Sequence, residues 1–187
     1  KRTKRQSKPP APFNTTAPMA AAASEGLSPS QTMRIAESLY MSGLISYPRV
    51  DNTVYPPSLD IKGIVRTLAE VPFYREHAQK LLQAPFHPTR GEKEATDHPP
   101  IHPTGAADPD KLDPQAWKLY NLVARRFMAT LSDPAVIEGT RVDLDVAGEP
   151  FIAKGDVVLS PGFRAIYPYG LRKDEHLPQL AEGESVR

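Results

Sequence analysis

The sequence predicts an α+β protein: a mainly helical domain over residues 8–137, with a helix-turn-helix-like unit near its start, then the strands of a partial β-rich domain over 138–187. Three observations predict it. Apolar residues recur three and four apart in segments whose ends carry helix-capping chemistry. A proline-dense stretch from residue 85 to 114 interrupts those segments and has no apolar period of its own. After Asp133-Pro134 the period changes to two, the mark of half-buried strands.

Residues 1–7 are a basic lead-in, in which Lys1, Arg2, Lys4 and Arg5 are expected to form a solvated tail. Residues 6–16 are too rich in proline for a regular element. Thr16 can cap a short helix over the alanine-dense residues 17–25, which Gly26 ends. Ser28-Pro29-Ser30-Gln31 gives a stronger start signal: a serine N-cap, proline at the first helical position and a glutamine that completes a capping box. Ile35, Ala36, Leu39 and Tyr40 then share one face, and Gly43 closes the helix. Two short helices joined in this way suit a DNA-docking helix-turn-helix and an ordinary helical hairpin equally, since the turn chemistry is the same.

Ile61, Ile64, Val65 and Leu68 predict a third helix, and Tyr74, Ala78, Leu81 and Leu82 a fourth. The stretch 85–114 reads as a long loop, a feature that is often functional in a compact domain. Asp113 and Pro114 cap and open the clearest helix, with Trp117, Tyr120, Ala124, Phe127 and Leu131 facing the core and Arg125 and Arg126 on the wet side. Val142, Leu144 and Val146 alternate with Arg141, Asp143 and Asp145, Gly148-Glu149 turns, and Phe151 and Ala153 resume the strand pattern. Phe163, Ala165 and Tyr167 are expected to continue it beyond a turn at Pro161-Gly162.

Composition narrows function less than position does. The formal net charge is +1, so a nucleic-acid reading rests on where charge is placed. There is no cysteine, hence no disulfide framework and no thiolate metal site. No apolar run reaches the roughly 18 residues of a membrane span. The absence of an initiator methionine suggests a piece of a longer polypeptide.

One stretch concentrates reactive side chains. Leu44-Ile-Ser-Tyr-Pro-Arg-Val-Asp-Asn-Thr53 sets a tyrosine, an arginine and a carboxylate close together, and Pro48 stops regular pairing just after Tyr47. A phenol with a pKa of about 10 is only roughly one part in a thousand ionised at neutral pH. A neighbouring cation favours phenolate and stabilises charge on an attacked phosphate, and the guanidinium of Arg49 matches phosphate oxygens geometrically. By itself this Tyr-x-Arg pairing also fits a structural tyrosine beside a surface arginine.

The surrounding residues add specificity. Gly43-Leu-Ile-Ser-Tyr-Pro-Arg-Val-Asp-Asn-Thr53 resembles the active-site signature of type IA DNA topoisomerases, and looks closest to archaeal members. The resemblance takes in Pro12-Phe13 with Thr15, Gln31-Thr32-Met33, Asp97-His98-Pro-Pro-Ile101-His102-Pro103-Thr104, and Lys154-Gly155 through Pro161-Gly162-Phe163, so it covers nearly the whole chain. It implies that Tyr47 attacks a DNA phosphodiester to give a 5′-phosphotyrosine, with Arg49 on the scissile phosphate and His98 assisting. Asp51, Asn52, Thr53 and His102 fall at positions implied to contact nucleic acid. Val50 stands where many members have threonine, Asn52 where many have serine, and His102 where bacterial members have arginine.

The same resemblance implies strand passage and religation that relax negative supercoils without ATP. It implies no cofactor within this segment, and Mg2+ in the parent enzyme, held by a Toprim domain that has no counterpart here, so the segment alone is expected to be inactive. The implied partners are single-stranded DNA and the rest of the same polypeptide, in a monomeric, cytoplasmic, nucleoid-associated enzyme without membrane contact. The alternative is a noncatalytic DNA-binding helix-turn-helix module. His98 and His102 do not read as a metal pair, because the intervening prolines deny the helix that an i, i+4 spacing requires. Asp143 and Asp145 read as the outward residues of a strand.

Overall fold

In the computed structural model, which describes residues 1–170, 174–178 and 180–185, five α-helices, the longest of them at the centre, are flanked by a three-stranded antiparallel sheet. Residues 171–173, 179, 186 and 187 of the 138–187 segment lie outside the described residues. The elements are β1 (Arg2–Ser7), α1 (Thr16–Ala23), α2 (Pro29–Met41), α3 (Ile61–Glu70), α4 (Arg75–Leu81), α5 (Pro114–Thr130), β2 (Ala135–Val146), β3 (Glu149–Ser160) and a 3-10 turn at Gly162–Ala165.

The capping chemistry behaves as its residue types require. Ser28 Oγ accepts from the Gln31 amide and the Gln31 side chain accepts from the Ser28 amide, a complete capping box for α2. Asp113 accepts from the amides of Gln115 and Ala116 at the start of α5, and Asp60 from that of Gly63 at the start of α3. At α1 the N-cap is Thr15 rather than Thr16, and its hydroxyl is used elsewhere. Gly26 and Gly43 end α1 and α2 with φ of 83° and 72°, the left-handed region open to glycine.

Helix α5 is the hub. Leu119, Tyr120, Leu122, Val123, Ala124, Phe127 and Met128 are all buried, a much broader apolar surface than the single stripe in its sequence. It is enclosed by α1 and α2 on one side, by α4 on another and by the 3-10 turn. Arg125 and Arg126, expected on the wet side, are half-buried. Arg126 lies over the rings of Phe13 (4.5 Å) and Tyr167 (5.1 Å) and donates to the Ala11 carbonyl at 2.7 Å. Arg125 lies 4.9 Å over Phe73 and donates to the Ile166 carbonyl. Their long stems and planar heads are covered by aromatic faces while their N–H groups remain bonded, so charge does not force them outward.

The basic lead-in is not a tail. Residues Arg2–Ser7 form β1, paired antiparallel with β2 in the register Arg5 to Ile137 and Ser7 to Ala135. Arg5 reaches across β2 to Asp156 on β3 with bonds of 2.9 and 2.6 Å. A Cβ on Gly139 would lie 2.8 Å from the Arg5 guanidinium, so the bare backbone there leaves room for the pair. The lead-in thus supplies the third strand that the segment from 138 onward lacks, and the 137/138 division falls inside β2. The strand pattern predicted for Phe163, Ala165 and Tyr167 gives way to the 3-10 turn, with Phe163 buried in it and Tyr167 buried just beyond it. Asp143 pairs with Arg141 and Asp145 accepts from the Gly148 amide in the hairpin turn, so both serve the hairpin.

Candidate active site and nucleic-acid interface

Three separate stretches, residues 13–15, 43–53 and 97–104, meet to form one site. Ile101 pairs with Phe13 and Pro103 with Ile45 in isolated antiparallel bridges. The Ile101 amide donates to the Phe13 carbonyl at 2.8 Å, the Ser46 amide to the His102 carbonyl at 2.9 Å and the Thr104 amide to the Leu44 carbonyl at 3.0 Å. A Cβ on Gly105 would lie 2.8 Å from the Gly43 carbonyl, so glycine permits this approach. The long loop therefore lies like a short strand beside the Tyr47 segment, although no apolar period announces it.

Tyr47 follows buried Ile45 and Ser46, and its ring is half-buried. The His98 ring packs on it with centroids 4.8 Å apart, tilted by 42°, and Tyr40 of α2 presents an edge from 5.4 Å. The phenol is thus held between the exit of α2 and the loop. Arg49 projects outward, with Nε 3.0 Å from Glu37 Oε1 and Nη2 also bonded to that oxygen. The bond to Glu37 raises the Arg49 guanidinium above its ordinary value, so it stays charged at any working pH.

Asp51 is exposed and accepts from Lys93 Nζ at 2.8 and 2.9 Å and from Asn14 Nδ2 at 3.1 Å. Lys93, and after it Asn14, holds its carboxyl below the usual aspartate range. Thr15 fixes the backbone beneath: its Oγ1 accepts from the Val50 amide at 2.7 Å and donates towards the Pro48 and Val50 carbonyls.

Two residues expected at the nucleic-acid surface face inward. Asn52 is 2% exposed; its Nδ2 donates to the carbonyls of Ala95 and His98 and its Oδ1 accepts from the Val54 amide. Its polar atoms hold the backbone at His98. His102 is 5% exposed, with Nδ1 2.7 Å from the Pro100 carbonyl, and burial lowers its pKa. Thr53 is half-buried and bonded to Lys93: its amide donates to the Lys93 carbonyl at 2.7 Å and its Oγ1 accepts from the Lys93 amide at 3.0 Å. Asn52, Thr53 and His102 thus clamp the loop, while Tyr47, Arg49, Asp51 and His98 retain exposed surface.

Glu37, Asn14 and Lys93 were not legible as site residues. Asn14 stands between two residues of the first stretch, which is a signal of sorts. Glu37 reads as a solvent-facing residue of an amphipathic helix and Lys93 as one charge in a mixed loop. Among the described residues no three His, Asp or Glu side chains converge to hold a metal. Glu37 and Asp51 are each engaged by a cation.

The sequence profile of the DNA topoisomerase family matches residues 1–187. The chain belongs to the type IA DNA topoisomerases. It is 47% identical over 178 residues to DNA topoisomerase 1 of Archaeoglobus fulgidus, an alignment covering 95% of this chain and 26% of that protein. Against DNA topoisomerase 3-beta of Arabidopsis thaliana it is 36% identical over 95% of its length and 21% of the relative. Full-length topoisomerase I of Thermotoga maritima superposes with a TM-score of 0.71 at 27% identity, over 100% of this chain and 31% of that one. This topoisomerase segment therefore spans about a quarter of the length of the curated relatives it matches. Among its described residues no helix is long and apolar enough to cross a membrane.

Proposed function

We propose that this chain is the tyrosine-bearing part of a longer enzyme that cleaves and rejoins one strand of DNA. The Tyr47 oxygen forms a bond to phosphorus while the bond to the 3′-oxygen breaks, and the phenol proton is lost as the 3′-oxygen gains one. The product is a 5′-phosphotyrosine with a free 3′-hydroxyl. Reversal restores the strand, and because one phosphoester replaces another, no nucleotide is consumed. Torsion in the DNA drives strand passage and relaxes negative supercoils.

The observation that carries this reading is the packing of the His98 ring on Tyr47 with Arg49 two residues further on. Such an arrangement supplies a nucleophile, a fixed guanidinium for the phosphate oxygens and an imidazole able to orient either. Glu37 bonds Arg49 through Nε and Nη2, which leaves further N–H donors for phosphate. Asn52 and His102 act from beneath by shaping the loop that carries His98. Asp51 lines the approach of the strand, and Thr53 holds the loop beside it.

The partners are single-stranded DNA and the remainder of the polypeptide, in a monomeric enzyme of the cytoplasm that is associated with the nucleoid. Magnesium belongs to a Toprim domain elsewhere in the longer protein, and no step above passes through it. Alone, the segment binds without cleaving. The alternative of a noncatalytic helix-turn-helix module gains nothing from a free basic arm, since residues Arg2–Ser7 form a strand in which Arg5 is paired with Asp156. Plasmid relaxation and strand cleavage by the longer protein test the proposal. Tyr47→Phe abolishes both and leaves noncovalent binding largely intact; a variant that still cleaves refutes it.

A further inference from the structure

We propose that Lys93, on the long loop, is a second backbone-phosphate ligand, contacting the DNA in the same depression as the phosphate that Arg49 holds. This rests on the reading of Tyr47 and Arg49 given above and extends it to a residue outside the tyrosine and histidine stretches. Lys93 is fixed to the Tyr47 segment at three points. Its amide and carbonyl both bond Thr53, and its ammonium bridges the two oxygens of Asp51. The chain approaches so closely at Gly91 that a Cβ there would collide with the Thr53 side chain. The lysine backbone is therefore as well placed as the strand it accompanies, unlike that of an ordinary surface lysine.

Arg49, Asp51 and Lys93 line one open depression of about 380 Å³, together with Asn14, Thr15 and Asp97. An ammonium has three donors, and Asp51 engages them from one side only, so a donor remains for a phosphate oxygen entering the depression. Asp51 then acts as a positioning residue that aims Lys93, as Glu37 aims Arg49. Arg49 and Lys93 each have their own carboxylate, and a strand laid across the depression can be held by both cations without either side chain searching for its place.

The test is fluorescence anisotropy of a labelled single-stranded oligonucleotide titrated with the 187-residue chain across a range of salt concentrations. Lys93→Gln is expected to weaken binding several-fold and to make the slope of log K against log salt shallower by about 0.7, the contribution of one phosphate contact on a single strand. Lys93→Arg restores the slope. If Lys93→Gln binds with the wild-type affinity and slope while Arg49→Gln does not, the Lys93 assignment is overturned and the tyrosine-site reading stands. Loss of the slope in Lys93→Arg as well overturns it too, since the cation is then not the determinant. If neither Lys93→Gln nor Arg49→Gln changes binding, or the wild-type chain shows no salt-dependent binding, both readings fail together.

Discussion

The hydroxyl of Thr15 lies 2.7 Å from the amide of Val50, three residues beyond Tyr47, and receives its hydrogen bond. Val50 is 4% exposed, so no solvent replaces that acceptor, and the backbone turn that aims Arg49 rests on a side chain 35 residues away. Removing the hydroxyl leaves a buried N–H unsatisfied, a loss of about 1–3 kcal/mol. Thr15→Ala should lower the midpoint of thermal unfolding by several degrees, and Thr15→Ser should recover most of it. Equal stability of all three forms would show that the bond matters little.

Arg126 illustrates a charge used as packing. Placed over the rings of Phe13 and Tyr167 and bonded to the Ala11 carbonyl, it ties residues 11–13 to α5 and to Tyr167. Arg126→Ala removes two ring contacts and a buried donor, and is expected to destabilise by about 2–3 kcal/mol in chemical denaturation. Arg126→Lys keeps the charge but not the planar head, and should recover little of that loss. Full recovery by lysine would mean that charge alone is required.

His102 gives the fold a pH dependence of definite sign. Burial lowers its pKa below the ordinary 6.5, so the unfolded chain binds a proton more readily than the folded one. The stability contributed by the neutral ring is complete above about pH 6.5 and is lost as pH falls below it. His77, its pKa also lowered by burial, contributes with the same sign. Denaturation midpoints should fall between pH 7 and pH 5, and His102→Asn should flatten that dependence. A profile unaltered by the substitution would remove His102 as its cause.

Glu37 bears on rate rather than affinity. It is the acceptor that fixes the Arg49 head, and its charge does not itself favour DNA. In the longer enzyme, Glu37→Ala should slow cleavage at saturating oligonucleotide by roughly ten- to a hundredfold, the scale of a misplaced catalytic group, without weakening binding. Unchanged cleavage would mean that phosphate alone orients Arg49.

Local chemistry made much of this fold legible. The capping box at Ser28, the Asp113-Pro114 start of α5 and the alternation from Val142 to Val146 each depend on neighbours in sequence, and each element formed where those residues indicated. What was not legible depends on distant partners. The basic residues of β1 read as a solvated run, because their pairing with β2 is specified by strand register more than a hundred residues away. Arg125 and Arg126 read as surface residues because nothing nearby in sequence foretells the rings that cover them. At the site, Tyr47, Arg49 and His98 lay within recognisable stretches. Glu37 and Lys93 did not, since a charge on a helix or loop has the same local signature whether it meets water or a guanidinium.

The most direct test of the central claim is transfer of a labelled DNA strand to protein. A single-stranded oligonucleotide carrying its label at the 3′ end, incubated with the longer enzyme and magnesium and resolved under denaturing conditions, should migrate with the wild-type protein and not with Tyr47→Phe. An oligonucleotide labelled at the 5′ end should be released as a shorter free fragment. Attachment of the 3′-end label to Tyr47→Phe, or retention of the 5′-end label by the wild type, would contradict the assignment of Tyr47 as the nucleophile that captures the 5′-phosphate.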